Sequence, residues 1–327
     1  MKESEIRNRE THKRYLELVR ADSDRIFDDK SKFVHFPCPA CGGGDIKLLF
    51  EKDNFQYVQC SGCGTIYNDP RPQYRDLQRL YKESESTRFW VREFFTPFVD
   101  ARRAKIFKPR ADYIASRFSH LRMGEIGDVG AGFGLFLEEL GKVWNEAKLY
   151  AIEPSDDMAR ICESKGLTVI ESMVEDVDPK NKLFDLLTSF ELVEHLYDPM
   201  AFFLKIRTLL KDGGVFYFTT LNGLGFDIQV LWEKSRSIAP PHHLNFFNPA
   251  SITVLLNRAG FETIEVSTPG KLDWDIVENA ARAENTDIGR FFETVKNLGT
   301  DDAKRKLQEW ISHYDFSSHM QVVAKKA

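Results

Sequence analysis

Three glycines at alternate positions, Gly130, Gly132 and Gly134, are the feature that most restricts how this chain can fold. Asp128 stands two residues before the first of them. Glycine adopts positive φ angles without strain and lets a ligand approach the backbone closely. The spacing therefore predicts a tight turn that leads from a buried strand into a helix.

The same turn indicates a type of ligand. Leu135 stands where the dinucleotide fingerprint Gly-x-Gly-x-x-Gly has its last glycine, and the Gly-Lys-Ser/Thr of a phosphate-binding loop is absent. The pattern favours a nucleoside ligand without a pyrophosphate, and S-adenosylmethionine is the natural candidate. We predict that Asp128 and the three glycines bind this cofactor. The alternative is a glycine turn that only connects a strand to a helix.

Four of the five cysteines form two Cys-x-x-Cys pairs with eighteen residues between them. The four are Cys38, Cys41, Cys60 and Cys63. This is the spacing of a four-cysteine zinc site, in which each pair makes a turn that points two thiolates at one metal ion. A shell of four thiolates leaves no position for a substrate, so we expect Zn2+ to hold a small module together rather than to catalyse. Cys162 falls in a predicted helix and is expected to be an ordinary buried or half-buried thiol.

Composition and charge disfavour several classes of protein. The chain has 327 residues, of which 42% are hydrophobic and 29% charged, as expected for a soluble protein with a large core. Its net charge of −5 disfavours a strongly basic nucleic-acid binder. No apolar run is long enough to span a membrane and the charged N-terminus has no secretory signal, so a cytoplasmic location is expected. Nothing in the sequence specifies an oligomeric state.

Strands alternate with helices after residue 123, which predicts a parallel sheet with helices on both faces. The expected strands are Glu125–Val129, Leu149–Glu153, Thr168–Ile170, Phe184–Ser189, Val215–Thr220, Phe261–Val266 and Met320–Ala324. A helix that begins after Asp198-Pro199 is expected to end at Gly213-Gly214.

The rest of the chain divides by composition. A charged arm, either a short helix or a loose segment, covers residues 1–32, and the zinc ribbon covers 33–72 with strands at Ile46–Phe50 and Phe55–Gln59. A helical linker or cap follows over 73–120. The sheet domain then covers 121–327 and contains a helical insertion, 269–316, before the last strand.

Two acidic positions that follow strands are candidate cofactor ligands. Glu153 ends the second strand of the sheet, where a carboxylate can accept hydrogen bonds from both ribose hydroxyls of an adenosine. The alternative is a surface carboxylate that benefits from a nearby helix N-terminus. Asp176, in an acidic stretch after the third strand, is a candidate to accept a hydrogen bond from the adenine amino group. The alternative there is a solvated acidic loop.

Aromatic and histidine residues after the fourth and fifth strands are further candidates. Phe190 is placed to pack on the adenine or on the methionine chain of the cofactor. His242 and His243 lie in a long loop after the fifth strand, a position that favours a general base or a substrate wall. His195, after the fourth strand, is a third candidate base. For all three histidines the alternative is structural: His195 fills the start of a helix, and the pair binds backbone groups in a packed loop.

These motifs resemble those of class I S-adenosylmethionine-dependent methyltransferases. The segments that carry the resemblance are Asp128–Gly134, Ile152–Ser155, Phe184-Asp185, Glu191–Pro199, Leu209–Gly214, His242–Phe247 and Ala259–Phe261. The resemblance implies an α/β, Rossmann-like fold with seven strands in residues 121–327 and S-adenosylmethionine as the methyl donor. The run from Glu194 to Pro199 is similar to the branch that contains ubiquinone-biosynthesis O-methyltransferases and surface-sugar methyltransferases. The ribbon that leads into Tyr67–Pro72 is similar to zinc-bearing members, several of which act on nucleotide-linked sugars.

We therefore expect an enzyme that methylates a small molecule or a nucleotide-linked or surface sugar, with transfer to oxygen and with His243, His242 or His195 as the base, in that order. One alternative is an RNA or protein methyltransferase whose ribbon holds the macromolecule. The acidic balance of the chain disfavours it. The other alternative is a non-catalytic binding protein with a degenerate fold. The intact glycines and Glu153 disfavour that one.

Overall fold

The computed structural model describes residues 2–5, 8–121, 124–180 and 183–327. The strands are β1 Ile46–Lys52, β2 Phe55–Cys60, β3 Ile66–Asn68, β4 Glu125–Val129, β5 Lys148–Ile152, β6 Thr168–Ile170, β7 Phe184–Phe190, β8 Leu210–Leu221, β9 Asn245–Phe246, β10 Phe261–Ser267 and β11 His319–Lys326. The α-helices are α1 Arg9–Ile26, α2 Tyr74–Glu83, α3 Glu85–Phe89, α4 Val99–Arg102, α5 Lys108–Arg117, α6 Leu135–Val143, α7 Asp156–Ser164, α8 Pro199–Leu209, α9 Phe226–Leu231, α10 Pro249–Arg258, α11 Asp273–Glu284, α12 Arg290–Leu298 and α13 Asp301–His313.

The described residues group into two compact units. The sheet unit contains Asp100–Thr220, Thr253–Val266 and Gln321–Ala327. The ribbon unit contains the chain up to Val99, together with Leu221–Ile252 and Ser267–Met320. The segments predicted from sequence follow the chain order, whereas each unit is assembled from several separate stretches. The insertion 269–316 thus groups with the N-terminal residues rather than with the rest of 121–327.

The seven-stranded sheet has the order β10-β11-β8-β7-β4-β5-β6. The inner pairs are parallel, so the carboxyl ends of β4, β5 and β7 lie along one edge, and the predicted α/β, Rossmann-like architecture is confirmed. β4 passes close to β7. A Cβ on Gly127 would lie 2.7 Å from a methyl group of the buried Leu187, so a larger residue here would displace that side chain. Fully buried members of the core of this unit include Ile126, Phe136, Leu140, Ala151, Leu186, Tyr217 and Val323.

The predicted end of the helix after Asp198 is wrong. α8 ends at Leu209, and Gly213-Gly214 lie within β8, which begins at Leu210 instead of Val215. The register with β7 shifts there, because Leu210 pairs with Phe184 while Val215 pairs with Leu186. Lys211, in the bulge that this shift creates in β8, donates hydrogen bonds to both carboxylate oxygens of Asp185 at 2.9 Å. Gly213-Gly214 therefore lie in a bulge of β8 and do not terminate the helix.

The ribbon unit has its own four-stranded antiparallel sheet, in the order β1-β2-β3-β9. β1 and β2 lie where the sequence predicts them, each slightly longer. The sequence does not predict β3 or β9, and β9 joins the sheet from residues far along the chain. The arm at 1–32 contains an eighteen-residue helix, α1, whose N-cap Asn8 accepts a hydrogen bond from the Thr11 N–H.

Helices α11 to α13 occupy the predicted insertion before the last strand, which is thus confirmed as helical. Their apolar faces pack against α9 in one cluster of the ribbon unit. Its buried members are Phe226, Leu231, Trp274, Val277, Ala280, Ala281, Ile288 and Ile311. Among the helices of the described residues, none combines the length and the apolar character that crossing a membrane requires.

Candidate active site

The glycine turn after β4 has the backbone conformation that its sequence predicts. Gly130, Gly132 and Gly134 have φ angles of 73°, 56° and 67°, which residues with a side chain rarely adopt. A Cβ on Gly134 would lie 2.5 Å from a methyl group of Leu167 and 3.0 Å from Sγ of the buried Cys162, so a larger residue here would displace these side chains. A Cβ on Gly132 would have no protein atom within 4 Å. Gly132 is thus the glycine of this turn with space above it for a ligand.

Glu153 follows β5 directly and is bound to this turn. One of its carboxylate oxygens accepts the Gly132 N–H at 2.8 Å, and the other accepts the Ser155 N–H at 2.9 Å. The side chain is 5% exposed, and burial raises the pKa of its carboxyl group against the opposing effect of these two N–H donors. A carboxylate has about four acceptor positions, so two remain for a diol.

Asp128 lies beneath the turn at the end of β4. It is buried, and Thr188 on the neighbouring strand donates a hydrogen bond to it at 2.7 Å. Burial raises the pKa of Asp128 to about 7, although the Thr188 hydrogen bond and the positive charge of Arg110 act in the opposite direction.

Arg110, on α5, is a candidate site residue that the sequence analysis missed. Its guanidinium lies 4.1 Å from the centroid of the Phe190 ring, and one of its nitrogens lies 3.8 Å from a carboxylate oxygen of Glu191. The Arg110 side chain is only 12% exposed. A buried cation beside the carboxyl ends of β4 and β7 suits a ligand that carries a carboxylate. No local pattern marks it, because α5 precedes the sheet by sequence and lies outside the motifs.

Phe190 and the residues after it form a strained and acidic corner. The Phe190 ring packs at 4.6 Å from that of Phe136. Glu191 has a φ of 53°, which is unusual for a residue with a side chain, and its carboxylate accepts a 2.7 Å hydrogen bond from the Thr219 hydroxyl. Glu194 is buried and accepts a hydrogen bond from Thr220 at 2.8 Å. Burial, reinforced by the charge of Glu191, raises the pKa of Glu194 to about 8.

The remaining predicted residues of the sheet unit are less enclosed. His195 ends the short helical turn Val193–His195, and one of its ring nitrogens lies within 4.8 Å of a Glu194 carboxylate oxygen. Asp176 is exposed, at the end of the turn Val174–Asp176. The structure therefore brings Asp128, the glycines and Glu153 together and places Asp176 on the surface.

His242 and His243 belong to the ribbon unit. His242 is buried near the rings of Tyr15 and Tyr81, at 6.4 Å and 5.7 Å between centroids. Burial lowers the pKa of His242 to about 4, so its imidazole is neutral at physiological pH. The Nδ1–H of His243 donates to the backbone oxygen of Ser237 at 2.6 Å. A backbone oxygen can only accept a hydrogen bond, so Nδ1 of His243 carries a proton.

The four ribbon cysteines lie together as predicted. Their Sγ atoms are all within 4.8 Å of one another, with Cys38 3.5 Å from Cys63 and Cys41 3.5 Å from Cys60. A tetrahedral zinc ion with bonds of about 2.3 Å separates its sulfurs by about 3.8 Å, so this cluster fits zinc. Around it, the Gly43 N–H donates to Cys41 and the Thr65 hydroxyl lies 3.2 Å from Cys63. Cys162 is a buried thiol, as expected, and lies 3.2 Å from the backbone oxygen of Gly132.

Residues 100–266 match the family described as a methyltransferase domain. The chain belongs to this methyltransferase family. The resemblance seen in the motifs is thereby confirmed, and with it the prediction of an S-adenosylmethionine-dependent methyltransferase.

Curated relatives of this methyltransferase include ubiquinone biosynthesis O-methyltransferases of Xanthomonas. The enzyme of Xanthomonas oryzae pv. oryzae strain PXO99A is 28% identical over 171 residues, which cover 48% of this chain and 70% of the relative. The enzyme of Xanthomonas campestris pv. campestris strain B100 is 27% identical over 171 residues, which again cover 48% of this chain and 70% of the relative.

Solved structures similar to this chain include the plantazolicin methyltransferase BpumL in complex with a triazolic desmethylPZN analog and SAH. It has a TM-score of 0.48 and 15% identity, and the match covers 76% of this chain and 94% of that one. A putative sarcosine dimethylglycine methyltransferase from Galdieria sulphuraria has a TM-score of 0.45 and 14% identity. That match covers 67% of this chain and 86% of the other.

Proposed function

We propose that this methyltransferase transfers a methyl group from S-adenosylmethionine to a hydroxyl oxygen of a small molecule, with a nucleotide-linked or surface sugar as the acceptor class. The observation that carries the proposal is the open space above Gly132 beside the buried carboxylate of Glu153. Transfer to oxygen is supported by the activity in the names of the Xanthomonas relatives. A sugar acceptor is supported by the resemblance of the ribbon alone, and the net charge of −5 argues against a nucleic-acid acceptor.

The donor is proposed to lie across the carboxyl ends of β4 and β5. Glu153 accepts hydrogen bonds from the two ribose hydroxyls, and the bare backbone of Gly132 allows the nucleoside to approach. Asp128, Gly130 and Gly134 shape the turn, and Asp176 is the candidate beside the adenine. Phe190 is the candidate beside the methionine chain, because its ring stacks on Arg110.

Arg110 completes this donor site. Its partly paired, buried guanidinium binds the carboxylate at the methionine end of the donor. Bound S-adenosylmethionine supplies a methyl group on a positively charged sulfur, which is a good leaving group. The protein then has to orient the acceptor and remove its proton.

His243 is the proposed base. As the new carbon–oxygen bond forms and the carbon–sulfur bond breaks, the acceptor hydroxyl gives its proton to Nε2 of His243. His242 ranks below it, because burial lowers the pKa of His242 to about 4 and makes it a poor proton acceptor at neutral pH. His195 ranks third. Zn2+ bound by Cys38, Cys41, Cys60 and Cys63 is proposed to have a structural role, since four thiolates close its shell.

The test is methyl transfer with a panel of acceptors. Purified protein is incubated with radiolabelled S-adenosylmethionine and phenolic small molecules, nucleotide-linked sugars, bulk RNA or protein, and the methylated atom of any product is located by NMR. The Glu153→Gln variant should weaken binding of the donor by about ten-fold or more, because a neutral amide loses charge-assisted hydrogen bonds. Glu163→Gln, at an exposed position of the neighbouring α7, is the matched control and should change nothing.

Each part of the proposal has a contrary outcome. A labelled product only from RNA or protein would contradict the acceptor class, and a methyl group on nitrogen or carbon would contradict transfer to oxygen. Full turnover after replacement of all three histidines would show that the base is wrongly assigned. Absence of binding to S-adenosylhomocysteine in calorimetry would favour a non-catalytic protein.

A further inference from the structure

The imidazole of His243 is held in one tautomer by its own loop. Its Nδ1–H donates to the backbone oxygen of Ser237, six residues earlier, at 2.6 Å. That bond fixes both the rotation of the ring and the position of the proton. The orientation of His243 therefore depends on how firmly the turn at residues 235–237 is held.

A buried carboxylate holds this turn from one side. Asp227 on α9 is fully buried and accepts hydrogen bonds from the hydroxyls of Ser235 and Ser237, each at 2.7 Å, and from the hydroxyl of Ser318. Burial of a carboxylate without a cation is costly unless several donors satisfy it, and here three hydroxyls do. Two of these donors belong to the turn that carries the acceptor for His243.

The cysteine ribbon holds the same loop from the other side. Lys52, at the end of β1, donates to the backbone oxygen of Ser235 at 2.7 Å. Tyr57 on β2 is fully buried, and its hydroxyl donates to the backbone oxygen of His243 at 2.8 Å. β3 then pairs with β9, so that Tyr67 lies opposite Asn245, two residues after His243. Three strands of the ribbon sheet therefore contact the loop, at Ser235, His243 and Asn245.

We infer that the cysteine ribbon is a positioning element for His243: Lys52 and Tyr57 hold the loop so that the Nδ1–H stays bound to the Ser237 oxygen and the ring keeps the orientation in which it acts. The inference rests on the proposed role of His243 and deepens it. It gives the ribbon a function in catalysis that requires neither metal chemistry nor contact with the substrate. All of these contacts lie within the ribbon unit.

The chain offers matched controls for both contacts. Lys52→Met removes the amine that binds the loop, and Lys47→Met changes an exposed lysine of the same strand. Tyr57→Phe removes one buried hydroxyl that has a partner. Tyr67→Phe removes a buried hydroxyl for which the described residues provide no hydrogen-bond partner. Each pair thus separates loss of a loop contact from a general change in the ribbon.

Two measurements are made on the four variants and on the wild type. The first is the ring proton and nitrogen spectrum of His243 by NMR, assigned with His243→Gln. The Nδ1–H resonance should be visible in the wild type and in the Lys47 and Tyr67 variants, and broadened or lost in Lys52→Met and Tyr57→Phe. The second is steady-state kinetics. In Lys52→Met and Tyr57→Phe, kcat should fall about ten-fold while the KM for S-adenosylmethionine is unchanged.

The results distinguish this inference from the proposed function. An unchanged Nδ1–H resonance in both Lys52→Met and Tyr57→Phe would overturn the positioning role, and so would an equal loss in the two control variants. If His243→Gln kept full turnover, the base would be wrongly assigned. The spectra would still report whether the ribbon holds the ring.

Discussion

The buried carboxyl group of Asp128 should make the stability of the sheet unit depend on pH. In the folded chain its pKa is about 7, compared with the ordinary value of 3.8, and burial is the main cause. A carboxyl group whose pKa is raised by folding is protonated more readily in the folded state than in the unfolded one. Its contribution to stability is therefore fully present below about pH 4 and is lost as the pH rises through about 7.

The size of this change in unfolding free energy follows from the difference between the pKa values of Asp128 in the folded and unfolded states. Each pH unit in that window is equivalent to about 1.4 kcal/mol of unfolding free energy. Between about pH 5 and pH 8, ionisation of Asp128 should lower the free energy of unfolding by roughly 3 kcal/mol. Asp128→Asn keeps an oxygen that can accept the Thr188 hydrogen bond but has no charge to bury, so it should not show this loss.

The assay is urea unfolding of the wild type and of Asp128→Asn, followed by circular dichroism at several values between about pH 5 and pH 8. The quantity that matters is the difference between the two proteins at each pH, because titration of groups that do not interact with Asp128 cancels in it. The difference should move in favour of the variant by roughly 3 kcal/mol as the pH rises. A difference that stays constant, or that moves in favour of the wild type, would refute the reasoning.

Three further predictions concern the donor site and the ribbon. Gly134→Ala should lower the melting temperature much more than Gly132→Ala, because a Cβ on Gly134 meets Leu167 at 2.5 Å while one on Gly132 meets open space. Gly132→Ala should instead weaken binding of S-adenosylhomocysteine in calorimetry by about ten-fold or more. A larger loss of stability in Gly132→Ala and a larger loss of binding in Gly134→Ala would contradict the site. Arg110→Met should weaken the same binding by about ten-fold or more while the affinity for adenosine is retained, and equal losses for both ligands would contradict its role at the carboxylate end. Mass spectrometry of the native protein should find one zinc ion per chain and none in Cys60→Ser, which should also lose ribbon strand signal in circular dichroism; a Cys60→Ser variant with full zinc content would be contrary.

The elements that the sequence predicts well are those with a local signal. β4 and β6 have the predicted bounds, because a glycine turn and a helix end mark their limits. The four cysteines meet because the spacing within each pair already makes a turn, and two turns on neighbouring strands bring the pairs together. The glycine turn and Glu153 lie together because both follow adjacent parallel strands, whose carboxyl ends meet at the same edge.

The features that the sequence does not predict depend on contacts between distant residues. Arg110 stacks on Phe190 across many intervening elements, and a single arginine in a charged helix carries no mark of that contact. β9 is two residues long, too short for any periodicity, and exists because β3 provides a partner. Two adjacent glycines at 213–214 are typical of a helix end, yet they lie in the bulge of β8 opposite Asp185. In each case tertiary pairing overrides the local pattern.

A crystal structure with S-adenosylhomocysteine at saturating concentration tests the central claim most directly. The nucleoside should lie over Gly132, with both ribose hydroxyl oxygens within about 3 Å of the Glu153 carboxylate. Absence of density beside the glycine turn, or a ligand bound elsewhere with Glu153 still contacting only backbone N–H groups, would contradict it.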